Sequence, residues 1–189
     1  MKKVLNAKFN RLVLTLFVVS LSLMASCSDD PEATNEEEVI TTVVVTLTPA
    51  EGDPVLLTWD DADLDAVVDE SEVNVSANLE ISKTYTAVIQ LLNKSVNPEV
   101  DITIEVAKEA EDHIFCFTVT GANIAITNRN TDSNGLPLGI TSTWTTTTLS
   151  SGTVTVVLRH QPGVKTGDCP GAGDTDASIT FPVNVGIPV

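Results

Sequence analysis

The sequence predicts an all-β protein, an antiparallel β-sandwich of eight or nine strands with one short helix near residues 101–111. Three observations support this prediction. Apolar and polar residues alternate along most of the chain, Val, Ile and Thr dominate the alternating stretches, and turn-forming residues separate them. Alternation with a period of two places one face of a strand on a core and the other in water. Side chains branched at Cβ also suit a pleated surface.

Each predicted strand is defined by its inward-facing residues. In chain order these are Val43, Val45 and Leu47; Val55, Leu57 and Trp59; Tyr85, Ala87, Ile89 and Leu91; Phe115, Phe117 and Val119; Ile124 and Ile126; Ile140 and Trp144; Val154, Val156 and Leu158; and Ile179, Phe181, Val183 and Val185. Turn signals lie at 51–54, 93–98, 133–135, 151–152 and 167–173. Short strands joined by such turns are typical of a sandwich.

The short helix is predicted from the stretch at 101–112. Ile102, Val106 and Ala110 lie four residues apart on one helical face, and Asp101 can cap its beginning. The first half of this stretch also alternates like a strand, but the second half contains helix formers and no β-branched residue. We therefore expect a short helix across one end of the sandwich.

Two local patterns resemble fibronectin type III domains. Leu79 precedes Tyr85 by six residues, as at the corner of that family, where the tyrosine hydroxyl bonds back to the backbone. The stretch around Trp59 is similar to the tryptophan strand of the same family. This resemblance implies an immunoglobulin-like sandwich, with a strand missing between Trp59 and Tyr85. Two aromatic residues that fill a β core would explain the same patterns.

Residues 1–26 have the order of a secretory signal peptide. A basic region with Lys2, Lys3, Lys8 and Arg11 precedes an apolar stretch at 12–23, and small residues lead to Cys27. The apolar stretch is shorter than the roughly 20 residues that a membrane-spanning helix needs. A buried core helix is the alternative, but it leaves the basic head and the small-residue end unexplained.

The residues at 23–27, Leu-Met-Ala-Ser-Cys, resemble the bacterial lipobox, with Met24 in place of the usual aliphatic residue. The resemblance implies that Cys27 is lipidated and begins the mature protein. Ser28-Asp29-Asp30 resembles the signal that directs lipoproteins of Bacteroidetes to the outer leaflet, which implies an outer-membrane lipoprotein exposed at the cell surface. Two or more acyl chains would hold the protein firmly in the membrane.

Residues 27–38 are predicted to form the lipidated cysteine and a flexible acidic tether, because they carry no large apolar side chain. Residues 39–189 then form one domain of common size. Removal of residues 1–26 changes the net charge from −16 to −20, because four Lys and Arg and no acidic residue leave with them. We therefore expect no nucleic-acid partner and weak binding of divalent cations.

The chain also resembles a group of small flavobacterial lipoproteins of unknown function, through residues 36–48, 84–93, 101–117, 132–139, 158–162 and 173–185. Some members are labelled as a type 1 periplasmic binding fold. That fold has long helices alternating with the strands of a parallel sheet. The single short helical stretch of this chain favours a sandwich instead.

Cys116 and Cys169 are the two cysteines that remain after Cys27. In an oxidising compartment an isolated pair often forms a disulfide, and we expect one here. Two unrelated thiols, one of them a small buried hydrophobe, are the alternative.

His113 and His160 each end a predicted strand, in phase with neighbouring apolar residues. Together with Asp174 and Asp176 they offer imidazole and carboxylate ligands for a metal ion. The closely spaced histidines of common metal motifs are missing. Two half-buried imidazoles bonded to backbone or carboxylate explain these residues as well, and we favour that interpretation over a metal site.

Asn130, Asp132 and Asn134 carry oxygen atoms at alternate positions before Gly135, as at the start of a calcium loop. Thr141 stands where such a loop has its bidentate glutamate. A β-hairpin turn built on Asn134 and Gly135 explains the same residues, and we favour it. Alternating acids at 60–65 are explained by a solvated loop.

No Gly-x-Ser-x-Gly, His-Glu-x-x-His, phosphate-loop or dinucleotide motif occurs in the sequence. We therefore expect a non-catalytic surface module, without a cofactor, that binds a protein, a small ligand or a cation, or that has a structural role. A metal-binding protein that uses His113, His160 and nearby carboxylates is the alternative.

Overall fold

Two β-sheets pack against each other in the structure, a computed structural model that describes residues 38–187. In chain order the strands are β1 (Thr42–Pro49), β2 (Val55–Asp60), β3 (Val73–Val75), β4 (Leu79–Glu80), β5 (Thr84–Asn93), β6 (Val100–Asp101), β7 (His113–Thr120), β8 (Ile124–Thr127), β9 (Thr141–Thr146), β10 (Ser150–His160) and β11 (Asp174–Gly186). This architecture confirms the predicted all-β sandwich. The predicted signal peptide, Cys27 and the tether up to residue 37 lie outside the described residues.

The seven-stranded sheet has the order β3-β2-β1-β5-β9-β8, and β6 also pairs with β5. The four-stranded sheet has the order β4-β11-β10-β7. Neighbouring strands are antiparallel, except that β4 runs parallel to β11. Inward side chains of both sheets form one core, in which Trp144, Tyr85, Phe115 and Phe181 are the largest fully buried residues.

The described residues form eleven strands, where eight or nine were predicted. The additional strands β3, β4 and β6 are only two or three residues long. A segment of that length is too short to show alternation, so its pairing is decided by the neighbouring strand rather than by its own pattern.

The turn predicted at Ser151 and Gly152 is wrong, because both residues lie inside β10. A Cβ atom on Gly152 would lie 2.1 Å from the Thr120 carbonyl oxygen and 2.3 Å from the Ala122 nitrogen. The glycine therefore allows the chain after β7 to approach β10 closely, which is a common reason for glycine within a strand.

The predicted helix near 101–111 is present as α1 (Thr103–Lys108), and Val106 is its buried residue. The N-cap is Ile102 rather than the predicted Asp101, although Asp101 Oδ1 accepts a hydrogen bond of 3.0 Å from the Thr103 N–H. The only other helix in the described range is a single 3-10 turn at Glu70–Glu72. Neither helix has the length and hydrophobicity that a membrane-spanning helix requires.

The corner around Tyr85 has the hydrogen bond that the fibronectin resemblance implies. Tyr85 Oη accepts a bond of 2.8 Å from the Glu80 N–H, and both Tyr85 and Leu79 are buried. Because this bond ties β5 to the chain before it, the aromatic residue joins the two sheets at this corner and also fills the core.

One end of the four-stranded sheet brings several polar residues together. His113 begins β7, His160 ends β10 opposite it, and Asp174 begins β11 opposite His160. The register shifts at the bulge between Leu158 and Arg159, so that Asp176 is an extra residue without a direct partner. Such bulges redirect side chains and are frequent near functional sites.

Candidate metal centre

Four side chains meet at this end of the four-stranded sheet, and we call them the His113 cluster: Glu38, His113, His160 and Asp176. His113 comes from β7, His160 from β10 and Asp176 from the bulge of β11. Glu38 comes from the chain before β1, the strand at the centre of the other sheet. Three elements of one sheet and the approach to the other therefore contribute to the cluster.

His113 is held in one tautomer by the end of α1. Its Nδ1 lies 3.1 Å from the carbonyl oxygen of Glu109, the residue that follows the helix. A carbonyl can only accept a hydrogen bond, so Nδ1 carries the proton. In the neutral ring Nε2 then presents a lone pair.

The lone pair on His113 Nε2 faces two carboxylates. The distance from Nε2 to Glu38 Oε1 is 3.5 Å, and the distance to Asp176 Oδ2 is 3.9 Å. One ligand atom from each of these three residues lies within 4.8 Å of the others. The side chain of His113 is 2 % exposed, that of Glu38 9 % and that of Asp176 17 %.

These atoms lack the hydrogen bonds that buried polar atoms normally make. Both carboxylate oxygens of Glu38 and Oδ2 of Asp176 are buried without a hydrogen-bond partner within residues 38–187. Buried polar groups are almost always paired, and an unpaired buried charge is costly. A cation, a proton or a water molecule between these atoms would supply the partner that they lack.

The electrostatics of the cluster favour the neutral histidine. Burial, followed by the charges of Asp176, Glu105 and Glu109, raises the pKa of Glu38 to about 7. Burial likewise raises the pKa of Asp176, although His113 and His160 oppose this effect. Burial lowers the pKa of His113, against the opposing hydrogen bond to Glu109. Neutral imidazole is the form that binds metal ions.

His160 lies beside His113 and outside the group of three. The two rings stack with their centroids 4.7 Å apart and an angle of 12° between their planes. His160, His113 and Glu109 also bring one ligand atom each within 4.8 Å of one another, but Glu109 is exposed. The structure thus places both predicted histidines side by side.

Asp174, which was predicted as a ligand, lies outside the groups of ligand atoms in the described residues. Asp174 is exposed at the beginning of β11 and belongs to neither group of ligand atoms. The bulge changes the register of β11 by one residue, and it is Asp176 that points toward His113.

Glu38, the last residue of the predicted tether, lies in the cluster. Its side chain is buried in the cluster although it ends an acidic run, Glu36-Glu37-Glu38. The only signal in the sequence that could have separated Glu38 from this run is its position directly before the apolar residues Val39 and Ile40.

The calcium-like residues form a hairpin turn instead of an open ligand set. Asp132 Oδ1 accepts hydrogen bonds from the Asn134 and Leu136 N–H groups, and its Oδ2 lies 2.8 Å from Lys165 Nζ. Asn130 Oδ1 accepts bonds from two further backbone N–H groups. The oxygens that a calcium ion would need are therefore used by the protein, which agrees with the favoured turn.

The acids at 60–65 are also engaged locally. Asp61 accepts hydrogen bonds from the Asp65 and Ala66 N–H groups, and Glu72 accepts them from Ala62 and from the Trp59 side chain. Asp61, Asp63 and Glu72 each bring one oxygen within 4.8 Å of the others. The hydrogen bonds of Asp61 and Glu72 close an acidic loop, and this closure explains why the three carboxylates lie close together.

Cys116 and Cys169 are joined by a disulfide, with their Cα atoms 5.6 Å apart. The bond links β7 to the loop between β10 and β11. It lies on the two elements that supply His113 and the approach to Asp176, so it restrains the surroundings of the cluster.

Comparisons with protein-family models, with curated proteins and with solved structures found no match to this chain.

Proposed function

We propose that this chain is a lipid-anchored protein of the outer membrane, exposed at the cell surface, whose β-sandwich is a non-catalytic module that binds a divalent transition-metal ion at the His113 cluster. One observation carries the metal site. His113 Nε2 and two partly buried carboxylates converge, and three of the carboxylate oxygens are buried without a hydrogen-bond partner in the described residues. A metal ion would supply the positive charge that these three acceptors lack.

The distances in the cluster fit a small ion. Two ligands of tetrahedral zinc, each about 2.0–2.1 Å from the ion, lie roughly 3.3 Å apart. The observed separations of 3.5 and 3.9 Å need only a small inward movement of the carboxylates. Calcium takes six to eight oxygen ligands at longer distances, whereas a mixed nitrogen and oxygen set favours zinc or a similar transition metal.

The support of His113 also favours a metal ligand. Histidines that bind metal ions usually donate their other ring N–H to a carboxylate or a backbone carbonyl, which fixes the tautomer. The hydrogen bond from His113 Nδ1 to the Glu109 carbonyl oxygen has this arrangement. The expected net charge of −20 after removal of residues 1–26 would further attract cations to the domain.

The test is a titration of the full chain with zinc chloride at 0.15 M salt, in which isothermal calorimetry measures the heat of binding. At this salt concentration exposed charges are screened beyond about 8 Å, so loose binding to surface carboxylates is suppressed. We expect one zinc ion per chain for the wild type. Loss of a hydrogen-bond partner that supports a metal ligand lowers metal affinity roughly 10- to 100-fold. Because His113 is itself a proposed ligand, His113→Ala should lower the affinity for zinc by more than this.

Asp176→Asn and Asp174→Asn form a matched pair for this experiment. Both variants remove one carboxylate from the same strand, but only Asp176 faces His113. Asp176→Asn should weaken zinc binding strongly, and Asp174→Asn should leave it nearly unchanged. Equal effects of the two variants, or no stoichiometric binding by the wild type, would overturn the proposed site.

A further inference from the structure

We propose that the metal ion acts as a clip that fastens the chain entering β1 to the four-stranded sheet. This inference rests on the proposed metal site and adds a structural consequence of binding. It follows from where the three ligands come from. His113 and Asp176 belong to β7 and β11 of the four-stranded sheet, whereas Glu38 precedes β1 of the seven-stranded sheet. One ion held by all three would join the two sheets.

Little else holds the residues before β1. In the described part of the chain, Thr41 is the first residue whose backbone forms a hydrogen bond, through its N–H to the Leu92 carbonyl oxygen at 2.9 Å. Val39 is 54 % exposed, and only Ile40, at 8 %, packs into the core. The attachment of Glu38 therefore depends on the cluster itself and on the burial of one neighbouring side chain.

When Glu38 and Asp176 are both ionised and no cation lies between them, the buried position of Glu38 is unfavourable. Both of its oxygens are buried without hydrogen bonds, and Asp176 adds a second carboxylate to the same small volume. Outward rotation of Glu38 would hydrate its carboxylate and relieve this repulsion. A bound metal ion would instead favour the buried position of Glu38, because Glu38 would then coordinate an ion that the other two ligands hold in place. Metal occupancy thereby controls whether residues 38–40 lie on the domain.

Limited proteolysis can follow this local movement. A serine elastase, which cleaves after small aliphatic residues and needs no metal ion, is added to the full chain in zinc or in chelator. Mass spectrometry then measures cleavage after Val39. The internal reference is cleavage after Val67 or Val68, which are 54 % and 39 % exposed in the loop between β2 and β3. We expect zinc to slow cleavage after Val39 at least tenfold and to leave the reference bonds nearly unchanged.

Glu38→Gln should abolish the protection of the bond after Val39, because the uncharged amide is a poor metal ligand. Asp174→Asn is the control, since it removes a carboxylate at the same end of the sheet and should retain full protection. Zinc binding is measured by calorimetry in the same samples. Stoichiometric binding without protection, or protection that survives in Glu38→Gln, would overturn the clip and leave the metal site standing. Absence of zinc binding would overturn both proposals.

Discussion

Lys165 reaches the turn at residues 132–135 and forms an ion pair with Asp132 that is buried from water. The distance from Lys165 Nζ to Asp132 Oδ2 is 2.8 Å, and the side chains are 3 % and 0 % exposed. Nζ also donates a hydrogen bond to the Ala110 carbonyl oxygen. Burial alone would raise the pKa of Asp132, but the hydrogen bonds and charge of Lys165 and the turn amides outweigh it and lower this pKa.

Replacement of Lys165 by alanine should therefore destabilise the domain strongly. The change leaves the Asp132 charge buried without its partner, a situation that typically costs about 3–5 kcal/mol in the free energy of unfolding. Urea denaturation followed by circular dichroism measures this difference. Lys94→Ala is the control, because Lys94 pairs with Asp60 at the same 2.8 Å but both side chains are partly exposed. An exposed pair contributes about 1 kcal/mol or less.

The same ion pair predicts that the free energy of unfolding depends on pH. Because the folded protein lowers the pKa of Asp132, the stabilisation is complete above the unfolded value of 3.8 and is lost as the pH falls through the folded value. The difference between the wild type and Lys165→Ala should then shrink in acid. A difference that is small at pH 7, or that grows as the pH falls, would contradict the buried pair.

The residues of the candidate site were predictable only in part. His113 and His160 could be selected because histidine is rare here and each lies at a strand end, and Asp176 could be selected only together with Asp174 as a nearby acid. Glu38 could not be separated from the acidic run that contains it, since residue type alone does not show which carboxylate is buried. The difference between Asp174 and Asp176 depends on a one-residue register shift in β11, which alternation on either side of the bulge does not reveal.

At the scale of elements, the long strands were predictable because each carries a clear alternation that the sandwich core requires. The burial pattern of β5, in which buried and exposed residues alternate from Thr84 to Leu91, follows its sequence closely. The short strands and the internal glycine of β10 were not predictable, since close approach between distant segments decides them. Local sequence specifies an element only where the element is long enough to show a period.

The disulfide between Cys116 and Cys169 should stabilise the end of the sandwich that contains the cluster. The cysteines are separated by 53 residues, and the chain-entropy model assigns about 4 kcal/mol to a loop of this length. Reduction, or a Cys116→Ala and Cys169→Ala double variant, should lower the free energy of unfolding by about this amount. Chemical denaturation with and without reductant measures it.

Thiol counting provides the control for this prediction. Under denaturing and non-reducing conditions, Cys116 and Cys169 should contribute no free thiol, and after reduction they should contribute two. Two free thiols in the unreduced protein would contradict the bond. An unchanged free energy of unfolding after reduction would show that the bond forms without contributing to stability.

At the scale of the whole molecule, the proposed anchor and the proposed metal site lie close together along the chain. Glu38 follows Cys27 by 11 residues, a stretch that spans at most roughly 40 Å when fully extended. If Cys27 carries lipid, the His113 cluster remains within that distance of the membrane. Release of residues 38–40 from the domain would lengthen the segment between Cys27 and the sandwich. The metal ion would then also change the largest distance between the sandwich and the membrane.

The anchor itself predicts a covalent label at one cysteine. Expressed as the full chain in a bacterium that processes lipoproteins, the wild type should take up a palmitate analogue and fractionate with the outer membrane. Cys27→Ala should lose the label and leave the membrane fraction if Cys27 carries the acyl chains that hold the protein there. The Cys116→Ala and Cys169→Ala double variant should keep the label, which separates acylation at Cys27 from general reactivity of thiols.

Protease treatment of intact cells should remove the domain of the wild type. A wild type without label, a labelled Cys27→Ala variant, or a domain protected on intact cells would each contradict a surface lipoprotein anchored at Cys27.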